Sequence, residues 1–251
     1  MRWLLTGVGL LVVVLGAGLV WWIGWAPDTE QAPLEAARAS DDVAIAIEDG
    51  DVTIEPTGGD GPLDGDTMVF HPGARVAPDA YAATWTPVVA ETGITVVIPS
   101  VPLRLAVLDI DVADTVRPDD ATGTWWLGGH SLGGTMAASH LAGEPEGDWA
   151  GIVFWGSYPN GDVLLDRDDI AVLSVSGTRD GLSTVEDIDT SRADLPPSST
   201  FVALYGVNHA QFGAYGSQGG DLEPEVDDET ARMLVAEATA EFLLDASTPA
   251  G

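Results

Sequence analysis

Short apolar runs alternate with stretches of helical spacing from residue 42 to the end of the chain. The runs that predict strands are 43–56, 67–70, 94–99, 123–128, 151–156, 170–177 and 201–206. The stretches that predict helices are 80–93, 103–116, 135–143, 185–193 and 231–244. Within 43–56, Asp49-Gly50 predicts a hairpin turn between two strands. This order predicts an α/β protein with a mainly parallel sheet of about seven to eight strands and helices on both faces.

A different pattern occupies the start of the chain. Residues 3–25 carry no charge over 23 positions, enough for a helix that crosses a hydrocarbon core of about 30 Å. Arg2 precedes this run and acidic residues follow it, so we expect a single-pass protein of the cell membrane with its folded part outside. The predicted organisation is a transmembrane anchor over 1–25, a polar linker over 26–41 and one domain over 42–251. A cleaved signal peptide is the alternative, although its apolar region usually spans only about 7–15 residues.

Charge is the feature of the composition that departs most from an ordinary globular protein. Nine basic and 40 acidic residues give a formal net charge of −31, and the chain contains no lysine. Such a surface repels polyanions, so no nucleic-acid partner is expected. One hypothesis is a halophilic host, because molar salt shortens the screening length to about 3 Å. An acidic protein without a salt requirement is the alternative.

Cysteine is absent from the chain, which excludes disulfides and a thiolate nucleophile. The four histidines, at positions 71, 130, 140 and 209, form neither an H-E-x-x-H motif nor a pair at helical spacing. No metal site is therefore predicted.

Residues 128–134, GGHSLGG, place one serine among four glycines. They lie between a predicted strand and a predicted helix, which is the context of the G-x-S-x-G nucleophile elbow. In that turn glycines stand where a Cβ would collide, and the serine hydroxyl projects from the apex. Ser131 is therefore the predicted nucleophile. Because the chain contains 30 glycines, a chance match in a flexible loop is the alternative.

A serine nucleophile needs a base within hydrogen-bond reach and a carboxylate that orients the base. His209 follows the last predicted strand, at the carboxyl edge of the sheet where such sites form. His140 lies on the helix after the elbow, about two and a half turns from the serine and too far away to act. Asp180 follows the preceding strand at the same edge, and the acidic pair at 186–187 is the alternative. Asp180 and His209 are thus the predicted acid and base.

Two backbone N–H groups have to face the oxyanion of the tetrahedral intermediate. The N–H of Leu132, directly after the nucleophile, is the first expected donor. The second is expected from the loop HPGAR at 71–75, where Ala74 is preferred over Gly73.

Aromatic residues near the predicted site are candidates for the wall of a substrate pocket. Trp155 and Tyr158 come at and after the end of strand 151–156, and Phe212 follows the predicted base. Packing in the core explains each of them nearly as well.

Several stretches together resemble the α/β-hydrolase superfamily, and more narrowly the α/β-hydrolase fold-5 group related to dienelactone hydrolases. The stretches that carry the resemblance are FHPGARVAPDAYA (70–82), IPSVPLRLAVLD (98–109), GGHSLGG (128–134), SGTRDGL (176–182) and YGVNHAQFGAYG (205–216). The resemblance implies the α/β-hydrolase fold, a Ser131-Asp180-His209 triad, no metal or organic cofactor, and hydrolysis of an ester or similar acyl bond. Dienelactone hydrolases use a cysteine nucleophile, which this chain lacks, so dienelactone is not the expected substrate.

These features predict a membrane-anchored serine hydrolase that acts through an acyl-enzyme on small-molecule esters or other acyl substrates. An amidase or peptidase is one alternative, because the same triad performs both reactions. A catalytically inactive interaction module with this fold is the other, although all three triad candidates are present. No oligomeric state is predicted.

Overall fold

The computed structural model describes residues 26–59, 61–118 and 121–247. The predicted transmembrane segment, residues 1–25, lies outside this part of the chain. Among the described residues, no helix combines the length and the apolar character needed to cross a bilayer.

A single sheet of eight strands forms the centre of the domain. The strands are β1 (Val43–Glu48), β2 (Asp51–Pro56), β3 (Thr67–His71), β4 (Thr95–Ile98), β5 (Trp125–His130), β6 (Gly151–Trp155), β7 (Ala171–Gly177) and β8 (Thr200–Leu204). Their order is β1-β2-β4-β3-β5-β6-β7-β8. Strand β2 pairs antiparallel with β1 and β4, and every other pair is parallel. The predicted mainly parallel sheet is therefore confirmed, including the hairpin, in which Asp49 and Gly50 both take positive φ.

Six α-helices accompany the sheet in the described residues. They are α1 (Gln31–Arg38), α2 (Ala82–Thr92), α3 (Val112–Val116), α4 (Leu132–Leu141), α5 (Val185–Ser191) and α6 (Asp228–Ala246). The two faces of the sheet carry separate hydrophobic cores. One core contains Leu34 of α1, Trp85 of α2 and Val235 of α6, and the other contains Leu141 of α4 with Trp149. Helices thus cover both faces, as predicted.

The stretch 103–116 is not the single helix that its apolar spacing predicts. It forms two 3₁₀ turns, Pro102–Arg104 and Ala106–Leu108, and only its end is the short helix α3. Leu103 and Arg104 have φ of 55° and 56°, a left-handed conformation that a right-handed helix cannot contain.

The range predicted as a linker, 26–41, contains helix α1. Leu34 and Ala37 of this helix are buried against the domain. The N–H of Glu30 donates to the carbonyl of Ala214 at 2.8 Å. This part of the predicted linker is therefore packed onto the folded domain.

Strands β3 to β8 all run in the same direction, so their carboxyl ends meet at one edge of the sheet. The loops at this edge carry the residues that the sequence singles out for chemistry.

Candidate active site

Ser131 occupies the sharp turn between β5 and α4, with φ 52° and ψ −127°. A positive φ is uncommon for a residue with a side chain and is found where the surrounding structure enforces it. Two hydrogen bonds hold the backbone here: the Ser131 N–H donates to the carbonyl of Trp155 at 3.1 Å, and the Ser157 hydroxyl donates to the Ser131 carbonyl at 2.6 Å. The turn therefore has the strained strand-to-helix geometry of a nucleophile elbow.

Glycines allow this turn to pack closely against its neighbours. A Cβ added to Gly129 would lie 2.5 Å from the backbone nitrogen of Gly134. One added to Gly133 would lie 2.3 Å from the carbonyl oxygen of His71, at the end of β3. Both distances are below any real Cβ contact, so no larger residue fits at either position without moving the backbone.

Asp180, after β7, is held by hydrogen bonds on both carboxylate oxygens. Oδ1 accepts from the backbone N–H groups of Leu182 at 2.8 Å and Ser183 at 2.7 Å. Oδ2 accepts from Nδ1 of His209 at 2.8 Å. The residue is 3% exposed. These donors compensate the burial of the carboxylate and fix its orientation.

His209, after β8, is fully buried and bonded to Asp180 through Nδ1. Because a carboxylate only accepts hydrogen bonds, Nδ1 carries the proton and Nε2 keeps a lone pair. Among the described residues Nε2 has no hydrogen-bond partner, and none joins it to Ser131. Such bonds are often loose in enzymes without substrate. The imidazole is thus in the tautomer of a general base.

The alternative acids at 186–187 have other roles. Asp187 accepts from the N–H and the hydroxyl of Thr184, at 2.9 and 2.6 Å, and so caps helix α5. Glu186 is exposed in the first turn of the same helix.

Asp221 is a residue of this site that the sequence analysis missed. Its Oδ1 accepts from the N–H of Gly181 and its Oδ2 from the N–H of Ala210, each at 2.9 Å. Gly181 follows the predicted acid and Ala210 follows the predicted base. One carboxylate therefore ties the acid loop to the base loop. Nothing in the sequence distinguishes it from the other acidic residues.

Tyr81 and His130 form a second buried polar pair beside the site. The Tyr81 hydroxyl accepts from the Gly73 N–H at 2.8 Å and lies 3.0 Å from Nδ1 of His130. The His130 ring lies 4.6 Å from the ring of His209, and its other face stacks on Phe212. Burial lowers the pKa of His130 well below its usual value, with the nearby His209 as a smaller cause. His130 is therefore a neutral support for the base.

The structure separates the two choices for the second oxyanion donor. The Gly73 N–H is already bonded to Tyr81, so Gly73 is not a free donor. In the described part of the chain, no hydrogen bond involves the N–H of Ala74. Leu132 is the first residue of α4, whose first-turn N–H groups have no acceptor within the helix.

Two of the three residues predicted for the pocket wall are core side chains in the structure, which is the alternative that the sequence left open. Trp155 is fully buried, stacks on Trp85 at 4.7 Å and donates through Nε1 to Thr239 at 3.0 Å. Phe212 is fully buried behind the histidine rings. Both side chains therefore belong to the core. Trp155 ends β6, whose five residues are all buried, and Phe212 ends the buried 3₁₀ turn after β8.

Tyr158, the third predicted pocket residue, is partly exposed. Burial raises the pKa of its phenol, and the nearby Asp187 and Asp180 carboxylates raise it further. Tyr158 therefore lies near the loop that carries Asp180, and it remains a candidate for the wall of the substrate pocket.

The segments that follow β4, β6 and β7 lie at the same sheet edge as Ser131. Residues 156–170, between β6 and β7, contain no helix, so they form no helical lid. The Arg75 N–H donates to the carbonyl of Arg104 at 2.6 Å, which places the 3₁₀ turns after β4 against the loop of Ala74. Exposed apolar side chains follow β4 and β7; they are Leu103, Val107, Leu108, Leu182 and Val185.

Comparison with known proteins identifies the family to which the chain belongs. Residues 67–232 match the profile of the Alpha/beta hydrolase family. No curated protein matches the sequence. The match confirms the resemblance drawn from the sequence motifs, and with it the prediction of a hydrolytic enzyme.

Solved structures share the fold at low sequence identity. Est1E from Butyrivibrio proteoclasticus superimposes with a TM-score of 0.55 at 14% identity, over 82% of this chain and 99% of that one. A thermophilic esterase from Thermogutta terrifontis gives 0.54 at 14%, over 84% and 97%. The esterase domain of a Rhodothermus marinus protein gives 0.52 at 10%, over 81% and 97%. At such identities the likeness shows the fold.

Proposed function

Because the chain belongs to the alpha/beta hydrolase family, we propose that it is a serine hydrolase that cleaves carboxylic esters or related acyl bonds through an acyl-enzyme. The observation that carries the proposal is the buried Asp180–His209 hydrogen bond of 2.8 Å at the sheet edge where the strained Ser131 turn lies. Nucleophilic acyl transfer requires a base in this tautomer and a serine hydroxyl that can reach it.

In the acylation step, Ser131 Oγ attacks the carbonyl carbon of the ester, and its proton passes to Nε2 of His209. Asp180 stabilises the imidazolium that forms and holds the ring in place. The oxyanion accepts hydrogen bonds from the N–H groups of Leu132 and Ala74, which no other acceptor among the described residues occupies. When the tetrahedral intermediate collapses, the C–O bond breaks and the alcohol leaves with the proton from His209.

In the deacylation step, a water molecule gives one proton to Nε2 of His209, and its oxygen attacks the acyl carbon. Collapse of the second intermediate returns the proton to Ser131 Oγ and releases the carboxylic acid. No electron transfer is involved.

Two features support an ester with an apolar acyl group as substrate. Solved relatives in fold include proteins named as esterases. The exposed apolar side chains after β4 and β7, with Tyr158 beside the acid loop, provide a surface that an acyl chain can contact.

A fluorophosphonate probe tests the nucleophile. The folded protein is expected to be labelled, and Ser131→Ala is expected to lose labelling together with about 10⁴- to 10⁶-fold in kcat. Ser139→Ala on the same helix is the matched control, since its hydroxyl bonds only the Thr135 carbonyl. A folded wild type that resists the probe would contradict the proposal.

A panel of p-nitrophenyl esters of increasing acyl length then defines the substrate class. We expect the highest kcat/KM for an acyl chain of intermediate length, because each buried methylene contributes about 0.8 kcal/mol until the apolar surface is filled. Cleavage of the matching p-nitroanilides without cleavage of the esters would indicate an amidase.

We also propose that residues 1–25 anchor the protein in the cell membrane, with the catalytic domain outside. The support is the uncharged run of 23 residues after Arg2. After carbonate extraction the full chain should remain with the membranes, and a chain beginning at residue 26 should be released. Release of the full chain would contradict the anchor.

A salt requirement is proposed on the basis of the net charge of −31. Self-repulsion should be screened in molar NaCl, so the melting temperature should rise between 0.1 and 3 M salt. Sucrose, an uncharged excluded solute, is the control for effects other than screening. Equal stability at both salt concentrations would contradict the requirement.

A further inference from the structure

A second group of chemistry-bearing side chains lies away from Ser131, where α3 and the end of α4 meet. His140 belongs to the last turn of α4, Asp114 to α3, and Glu144 follows α4 by three residues. One ligand atom from each of these three lies within 4.8 Å of the other two. None of the three touches the proposed catalytic residues.

His140 differs from the acidic residues of this group because its imidazole is buried. Its ring is buried, with 2% of the side chain exposed, and Nδ1 lies 3.2 Å from a carboxylate oxygen of Asp111. When Nδ1–H donates a hydrogen bond to that carboxylate, the neutral imidazole has its lone pair on Nε2. Nε2 is itself buried, has no hydrogen-bond partner among the described residues, and lies 3.5 Å from Oδ1 of Asp114.

A buried lone pair beside the Asp114 carboxylate is unfavourable unless a proton or a metal cation lies between them. An imidazole nitrogen and two carboxylate oxygens form a ligand set typical of zinc and similar divalent transition metals. An outer carboxylate on the remaining imidazole nitrogen, here that of Asp111, is the usual way in which metal-binding histidines are oriented.

We propose that His140 Nε2, Asp114 and Glu144 bind one divalent transition cation of the zinc class, with Asp111 orienting the imidazole and water completing the coordination. The site is structural. It links the segment after β4, with its two 3₁₀ turns, to helix α4, whose first residue follows the nucleophile. The inference does not depend on the proposed esterase activity.

The sequence spacing hid this site. Asp114 lies 26 positions before His140, so no short motif contains both. The stretch around Asp114 also predicts a longer helix than the structure forms.

Zinc titration of the metal-stripped, tag-free full chain tests the proposal. Calorimetry in molar NaCl, which suppresses diffuse cation binding to the acidic surface, is expected to show one saturable site. Zn²⁺ at 100-fold excess over Kd is expected to raise the melting temperature by about 5 °C or more. Mg²⁺ and Ca²⁺ at the same concentration should raise it much less.

Four variants identify the ligands. Asp114→Asn and Glu144→Gln, which lie outside the buried core, should each weaken Zn²⁺ binding at least about tenfold. Asp111→Asn, which alters the residue that orients the imidazole, should weaken it about 10- to 100-fold. Glu146→Gln, an exposed acid two residues from Glu144, should bind like wild type.

Three results would overturn the proposal. They are the absence of saturable binding in the folded wild type, binding unchanged in both Asp114→Asn and Glu144→Gln, and Ca²⁺ binding as tight as that of Zn²⁺. In the first two cases the group is an ion pair between a protonated His140 and its acidic neighbours.

Discussion

The elbow, residues 128–134, and the loops that carry the proposed acid and base meet at the same sheet edge but are built by different means. In the elbow, glycines and backbone hydrogen bonds set the geometry, and no carboxylate takes part. In the acid and base loops, carboxylates do the positioning: Asp180 binds two backbone N–H groups and the imidazole, and Asp221 joins the two loops.

This difference teaches which physical changes each part tolerates. The elbow depends on excluded volume, so it is sensitive to added atoms and to protonation of the neutral histidines packed beside it. The acid and base loops depend on charge-assisted hydrogen bonds, so they are sensitive to the loss of a single oxygen. Three predictions follow the comparison from the largest expected effect to the smallest.

Adding one methyl group to the elbow should have the largest effect. In Gly133→Ala the new Cβ would lie 2.3 Å from the His71 carbonyl oxygen and 2.4 Å from that of Pro72. Because both obstacles are backbone atoms, we expect a loss of about 3 kcal/mol or more in the free energy of unfolding. Denaturant unfolding in molar salt measures this loss of stability.

Gly58→Ala, with no heavy atom within 4 Å of its Cβ, is the control and should change stability by less than about 1 kcal/mol. Equal effects of the two substitutions would refute the excluded-volume account.

Acid should weaken the fold beside the elbow through His71. Burial lowers its pKa from 6.5 to about 3, with a smaller contribution from His140. Between these values the unfolded chain binds a proton that the folded chain does not, so this histidine's contribution to stability is lost as the pH falls below 6.5. At pH 5 the loss amounts to about 2 kcal/mol.

The matched variant for this effect is His71→Leu, which cannot titrate. Its free energy of unfolding should fall by about 2 kcal/mol less than that of wild type between pH 7 and pH 5. Both ring nitrogens of His71 lack hydrogen-bond partners among the described residues, so the substitution removes no bond. Parallel stability curves for the two proteins would contradict the assignment.

Removing one oxygen from the clamp between the acid and base loops should have the smallest effect. In Asp221→Asn one of the two N–H groups, of Gly181 or Ala210, faces an amide NH₂ instead of an oxygen. We expect kcat for a p-nitrophenyl ester to fall about tenfold, which corresponds to about 1.4 kcal/mol, with little change in KM. Glu223→Gln, an exposed acid two positions away, should keep wild-type kcat. An unaltered kcat in Asp221→Asn would show that the clamp does not position the base.

Most of the sheet is predictable from the sequence because its strands are short apolar runs bounded by turn residues. The single helix predicted for residues 103–116 is wrong, because the apolar spacing suits a helix while Leu103 and Arg104 take left-handed conformations. Helix α1 is the opposite case, because the sequence predicts a linker where the structure forms a helix. Its eight residues are too few to form a stable helix alone, and packing of Leu34 and Ala37 against the domain stabilises it.

The candidate site residues likewise include some that the sequence reveals and some that it does not. The glycines around Ser131 are visible because a strand, a turn and a helix are adjacent in the chain. Trp155 and Phe212 are core residues. A strand buried on both faces does not reveal which side chains reach solvent, and the burial of the turn that contains Phe212 depends on the tertiary structure. Asp221 and Tyr81 are invisible because their partners are backbone N–H groups, which no residue type marks in the sequence.

The sequence by itself determined the parallel sheet, the turn that presents Ser131 and the chain order of acid and base, because these follow from local spacing and from the rule that parallel strands end at one edge. Only the tertiary structure decided which carboxylates hold the loops together, which aromatic rings are core, and that His140 faces Asp114 and Glu144. Those contacts depend on how the chain folds, and in a protein with 40 acidic side chains composition cannot single out the few whose oxygens meet a buried donor.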